Sequence, residues 1–254
     1  MQTMTLRALN SQSLYTMIKE FRTLFNACRL YYNDEDSGRI LIPNYPFKRF
    51  KFPKVAQSGS EKAISLEELK KIVNYTQGSK NKYRTVERDL FARDMFLLSF
   101  YLVGMNPADL YELEETQIRN GQITYRRKKT RSRRSDSAEL TISVPPCAQA
   151  IFDRYCQKLG EKRWKWQNYS TPEGMIRAVA SGLKIISESL GIPHLTWYSA
   201  RHTWATLARN ECGYSIDDIA FALNHSSGRV TDRYIRKDFS LIDSMNARVL
   251  ELVL

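Results

Sequence analysis

Two stretches near the carboxyl end, "YSARHTWATL" and "IAFALNHSSGRVTDRYIRKD", hold an arginine–histidine pair, Arg201 and His202, then His225, then Tyr234 nine residues further on. Upstream, "YRRKKTRSRR" (125–134) places seven Lys or Arg in ten positions. Guanidinium groups offer a planar fork of donors that matches phosphate oxygens, and ammonium groups a mobile point charge, so this inventory suits a polyanion. The plainer reading of a like-charge run is a solvated face or a tail. The histidines also raise the question of a metal. His194, His202 and His225 fall at spacings of eight and twenty-three, which match no zinc signature, and no Cys or carboxylate completes a set. No metal or cofactor is expected.

The whole chain agrees with a polyanionic partner. Its 254 residues carry 39 Lys plus Arg against 27 Asp plus Glu, a net charge of +12, in a composition that is 43% hydrophobic and so able to build a core. Nucleic acid is the first candidate, because each neutralised phosphate releases condensed counterions. An anionic membrane surface is the weaker one. The longest apolar stretch, "MFLLSFYLVGM", is far too short for a bilayer span, and the amino end has no charged start followed by a hydrophobic signal region. Cys28, Cys147, Cys156 and Cys212 form no CxxC pair and read as buried thiols in a reducing compartment, which points to the cytoplasm.

The elements that must position these groups follow from periodicity. Apolar residues at Leu14, Met17, Ile18, Phe21, Leu24, Phe25, Cys28 and Tyr31 have the spacing of an amphipathic helix. "IPNYPFKRFKFPKV" then brings Pro43, Pro46 and Pro53, which predicts an extended linker and a boundary between residues 1–55 and 56–254. Its Lys48, Arg49 and Lys51, interleaved with aromatics, are candidate contacts to a phosphate backbone. Ser65 and Glu68 have capping-box spacing at the start of a helix, and a long helix is expected over about 83–104. Asn106 and Pro107 read as an N-cap and first-turn proline of a short helix. Asn120-Gly121 is a two-residue hairpin signal, and the alternating segments around it predict a three-stranded antiparallel meander, with the basic run at the end of its second strand and the following turn. Further helices are expected at 146–159, 172–190, 197–211, 216–223 and 228–236, with a last apolar one over 240–254. The fold class is therefore mainly α with a small three-stranded antiparallel sheet, an α+β arrangement.

In order and spacing, the basic hairpin, "ARH", "LNH" and the following Tyr resemble the tyrosine recombinase (phage integrase) family, whose motifs run H-x-x-R-H, L-G-H and a nucleophilic Tyr. The resemblance covers about residues 56–254. It implies a catalytic domain preceded, in residues 1–55, by part of a helical core-binding domain. It also implies site-specific breakage and rejoining of double-stranded DNA through a 3'-phosphotyrosine link. Tyr234 matches the nucleophile, Arg201 the second active-site arginine, His225 the histidine that hydrogen-bonds the phosphate, and Tyr198 the first position of H-x-x-R. The general acid falls in "RRKKT", at Lys129 or else Lys128. The rest of the run, Arg126, Arg127, Lys128, Arg131, Arg133 and Arg134, would contact the DNA backbone. His202 would support the fold. Such chemistry needs fixed cations for the developing phosphoryl charge and a proton donor for the leaving 5'-oxygen.

Three positions depart from the pattern, the first being Tyr198, which stands where H-x-x-R has its leading histidine. In "GMNPADL", Asn106 stands where the family's first active-site arginine is expected and Asp109 where its glutamate is. This form resembles the branch carried by conjugative and mobilisable elements, in which that arginine is often absent. A compensating cation is expected from Arg93, with Arg88 and Arg84 on the same helix as alternatives. The resemblance further implies a tetrameric homo-oligomer on DNA, with the carboxyl-terminal helix exchanged between protomers. The competing reading is a DNA-binding protein that keeps this fold without the chemistry.

Overall fold

The computed structural model describes residues 11–50, 62–76, 88–114, 117–132, 134, 136–157, 164–225 and 238–254. They fall into two compact units, Met1–Ser60 and Glu61–Leu254. The expected boundary at 55/56 lies outside the described residues.

In the first unit, helix α1 (Ser11–Tyr32) carries the predicted amphipathic pattern. The proline-rich stretch after it is not extended as expected. Pro46–Lys48 forms a 3-10 turn that returns to α1, where Phe47 meets Phe21 and Phe25 edge-on at 5.8 and 5.7 Å between ring centroids. Asn33 ties the return, its amide donating to the Ile42 carbonyl while its side-chain oxygen accepts from the Ile42 N–H. Aromatic burial against α1 outweighs the extended preference of the prolines. Lys48 and Arg49 are exposed on this turn, and Lys51 lies outside the described residues.

The second unit is mainly helical, with one three-stranded antiparallel sheet. Helix α2 (Leu66–Val73) starts at the predicted capping box, Ser65 Oγ accepting from the Glu68 N–H and Glu68 returning the bond to the Ser65 N–H. Helix α3 (Arg88–Tyr101) is buried almost all round, which is why its sequence shows no clean stripe. Helix α4 (Pro107–Tyr111) follows, with Asn106 at its N-cap and proline in the first turn; the Asn106 side chain turns to Asp109 instead of capping. The sheet runs β1 (Ile118–Arg119), β2 (Gln122–Arg126) and β3 (Glu139–Ser143) in order. Asn120 and Gly121 join the first two at φ 52° and 73°, the paired positive values that a two-residue type I′ turn requires.

Around this lie α5 (Pro146–Tyr155), α6 (Pro172–Leu190), α7 (Trp197–Asn210), α8 (Ile216–Ala222) and α9 (Ser240–Glu251). Gly182 on α6 sits against α3, where an added Cβ would come within 2.4 Å of the Arg88 carbonyl; the two helices pack as closely as glycine allows. The expected helix over 228–236 lies outside the described residues. Among the described residues no helix is long and apolar enough to cross a membrane.

Helix α9 bears on the expected exchange between protomers. Its Ile242, Met245, Val249 and Leu250 are buried on this chain's own core. Asn246 accepts from the Trp204 indole N–H at 2.9 Å and donates to the Tyr101 carbonyl at 2.8 Å, and Asp243 takes the Ser143 N–H and hydroxyl. The helix covers its own chain instead of projecting from it.

Candidate active site

Arg201 occupies the second turn of α7, whose start is set by Thr196 and Ser199, with the Thr196 N–H donating to Ser199 Oγ at 3.2 Å. It is only 6% exposed. Its Nη1 donates to the Gly104 carbonyl at 3.0 Å, and its Nη2 donates to the Leu223 carbonyl and contacts His225 Nε2 at 3.2 Å. Gly104 permits this seat on two counts. Its φ is +66°, and a Cβ there would lie 2.7–2.8 Å from Arg201 Cγ, Cα and Cβ. The loop after α3 and the start of α7 thus meet backbone against side-chain root.

His225 follows α8. Burial, then the neighbouring Arg201, Arg127 and Arg134, hold its ring below the ordinary value of 6.5, so it is neutral at pH 7. A guanidinium has only donors, so Nε2 accepts and the ring proton sits on Nδ1. Among the described residues that N–H has no partner, and it points to an oxygen acceptor as its complement. Arg201 is itself pulled down by burial and then by Arg127, and stays charged.

The second cation of the site comes from the hairpin. Strand β2 alternates, with Ile123 and Tyr125 buried and Thr124 and Arg126 exposed, and the period carries the next residue, Arg127, inward. Arg127 is 7% exposed and donates through Nη1 to the Asn224 carbonyl at 3.3 Å. Its Nε has no partner among the described residues. Asp109 lies close by, its Oδ1 accepting from the Lys128 backbone N–H at 2.8 Å and its Oδ2 from the Asn106 amide at 3.3 Å. Burial raises its carboxyl, opposed by these bonds and by Arg127 and Arg201. Buried Tyr125 feels Asp109, Arg201 and Arg127 together, and its hydroxyl is held well above the usual phenol range, chiefly by burial.

The remaining basic residues divide by partner. Lys128 pairs with Glu112, which also holds Arg131 at 3.8 Å. Arg126 makes an exposed cross-strand pair with Glu139 at 3.3 Å. Arg134 is anchored by Asp136 and by Asn224. Lys129 is exposed and has no ion pair with a described residue. Between the two candidate acids, Lys129 is therefore the one left free to approach a ligand. Tyr198 is 44% exposed and stands edge-on to His202 at 4.8 Å between centroids. His202 is held below its ordinary value by burial, then by Lys62 and Arg201. Tyr234 and Arg133 lie outside the described residues, as does Arg84.

Arg93 is engaged elsewhere. Its Nε and Nη2 donate to Asp94 Oδ1 at 3.0 and 2.7 Å and its Nη1 to the Tyr75 carbonyl. Asp94 is 2% exposed and also binds Arg154 and the Tyr155 hydroxyl, so Arg93 belongs to a polar clasp between α3 and α5. Arg88 donates to Ser181 on α6. Among the described residues the cation beside Arg201 is Arg127, which the sequence alone places among the backbone contacts. The alternation of β2 is the signal that would have found it.

No protein-family model matches the chain, and a search of curated proteins finds no match. Among the described residues there is no group of His, Cys, Asp and Glu able to hold a metal ion. What the geometry offers is two buried arginines, Arg201 and Arg127, beside a neutral histidine, His225, an arrangement of donors that can meet an oxyanion.

Proposed function

We propose that the chain is a DNA breaking-and-rejoining enzyme of the tyrosine recombinase type, with a tyrosine-recombinase-like catalytic domain in its second unit and part of a core-binding domain in its first. The observation that carries this reading is the convergence of Arg201, Arg127 and His225 from three separate segments on one site.

In this reading the Tyr234 hydroxyl oxygen attacks the scissile phosphorus and gives up its proton to solvent water. A 3'-phosphotyrosine bond forms as the bond to the 5'-oxygen breaks, and Lys129 protonates the departing oxygen. Arg201 and Arg127 take the charge that develops on the non-bridging oxygens, Arg127 standing in for the arginine absent at Asn106. His225 donates its Nδ1 proton to the same oxygens, with Tyr198 at the exposed edge. Attack by a 5'-hydroxyl on the phosphotyrosine reverses the steps and rejoins the strand. No metal enters the scheme. Double-stranded DNA is the substrate, met also by Arg126, Arg131, Arg133 and Arg134 and by Lys48, Arg49 and Lys51. A cytoplasmic homo-oligomer assembled on DNA, a tetramer in the working state, completes the proposal. Exchange of α9 within it would require that helix to leave its own core.

Covalent trapping tests the reading. The protein is incubated with element-end duplexes nicked so that cleavage releases a short fragment, and adducts are resolved under denaturing conditions. An adduct formed by the parent and absent with Tyr234→Phe supports the enzyme. Binding to the same duplexes with no adduct from the parent overturns it in favour of a DNA-binding protein without chemistry.

A further inference from the structure

Every polar atom of Asn224 is in use, and together they fasten the basic loop to the site. Asn224 is 4% exposed and has φ +54°. It closes α8 in a left-handed turn, with the His225 N–H donating to the Ala220 carbonyl at 2.8 Å and its own N–H to Phe221 at 2.9 Å, the paired bonds of a Schellman motif. This turn fixes where His225 leaves the helix. The Asn224 carbonyl accepts from Arg127 Nη1 at 3.3 Å and from Arg134 Nη1 at 3.0 Å. Its side-chain oxygen accepts from Arg134 Nη1 at 2.9 Å, and its amide donates to the Ala138 carbonyl at 2.6 Å.

The three residues it grips are the first of the loop between β2 and β3, Arg127, and two near its end, Arg134 and Ala138. Lys129 lies between them. One residue earlier, the Leu223 carbonyl accepts from Arg201. The carboxyl end of α8 therefore gathers three guanidiniums on successive carbonyls, at the pole of the helix that favours cations. Glycine would satisfy the left-handed backbone at least cost, but it has no amide to hold Ala138 and no side-chain oxygen for Arg134. Asparagine meets both demands, being among the L-residues that best tolerate this region.

We infer that Asn224 is a positioning residue that holds both ends of the 127–138 loop against the α8 terminus and so sets Lys129 and Arg127 relative to Arg201 and His225. The catalytic part of this inference rests on the function proposed above; the mechanical part does not. Asn224→Gly is the informative variant, because it keeps the turn and the carbonyl and removes only the side-chain grip. Amide hydrogen exchange over 127–138, measured on the protein without DNA, is expected to quicken in Asn224→Gly while the thermal midpoint stays near that of the parent. Covalent-adduct formation at saturating DNA is expected to slow by roughly ten- to hundredfold, the scale of a displaced catalytic group, with DNA affinity changing much less. Asn224→Asp, which keeps the oxygen for Arg134, should recover part of the exchange protection. Unchanged exchange in Asn224→Gly would overturn the inference whatever the adduct assay shows. So would faster exchange with an undiminished adduct rate. A parent protein that forms no adduct would remove the recombinase reading alone, and the exchange result would still decide whether the grip exists.

Discussion

Arg127 and Arg93 are both arginines with buried guanidinium contacts, and their partners separate their roles. Arg127 ends on a carbonyl beside Arg201 with Nε unpartnered among the described residues, whereas Arg93 spends its nitrogens on Asp94 and Tyr75. Arg127→Ala is expected to slow strand cleavage by about 10²–10³-fold, as loss of one oxyanion donor does elsewhere. On the same proposal, Arg93→Ala should leave the cleavage rate of the folded protein near the parent's and lower stability by roughly 2 kcal/mol, since Asp94 keeps Arg154 and Tyr155. Single-turnover adduct rates and denaturant midpoints on the two variants check this. The histidines carry a pH signature. His225 and His202 are both held below their ordinary value in the folded chain, so between their folded values and about 6.5 the unfolded chain binds more protons. Stability should then rise with pH across that window and be lost as pH falls through it. Thermal midpoints between pH 5 and 8 should show this rise, and His225→Gln should flatten it.

At the scale of elements, the loop after α3 is the tightest constraint on the site. Gly104→Ala would force a left-handed alanine and drive its Cβ into Arg201, at a cost on the order of 3 kcal/mol and with displacement of the guanidinium from its carbonyls. Loss of both stability and adduct formation is expected, measured by denaturant unfolding and trapping. Helix α9 is a second such element. A chain ending at Asp238 would expose the faces of α7 and β3 that Ile242, Met245, Val249 and Leu250 cover, at about 1.5–3 kcal/mol for each side chain. That sum rivals the net stability of a domain. Such a chain should show no cooperative thermal transition by circular dichroism. These elements also show what could be read beforehand. The Ser65 capping box, the Asn120-Gly121 turn and Pro107 are local signals, and each marks its element in the structure. The return of Pro46–Lys48 onto α1 depends on Phe47 meeting Phe21 and Phe25 across some twenty residues, which no local signal records. The same holds within the site. The Arg201 and His225 positions follow from motif spacing, whereas the Arg127 seat depends on a hairpin register and the Asn224 grip on a contact between residues 86 to 97 positions apart.

Taken as a whole, the molecule is a basic body with a net charge of +12, and charge alone would suggest that every cation of the 125–134 run is available to a polyanion. Glu112 says otherwise. Its carboxylate already holds Lys128 and Arg131, so for those two side chains it occupies the place a phosphate would take. On the proposed function, DNA arriving at the hairpin would exchange one anion for another there and gain little from them by counterion release. The logarithmic dependence of affinity on salt should thus be shallower than the count of basic residues implies. Glu112→Gln should free up to two cations, steepening that dependence by about 1–2 in slope and tightening binding to duplexes of any sequence. On the proposed function, a resident carboxylate of this kind would work as a tax on indiscriminate adhesion, lowering the grip on bulk DNA while leaving Arg201, Arg127 and Lys129 for the scissile phosphate.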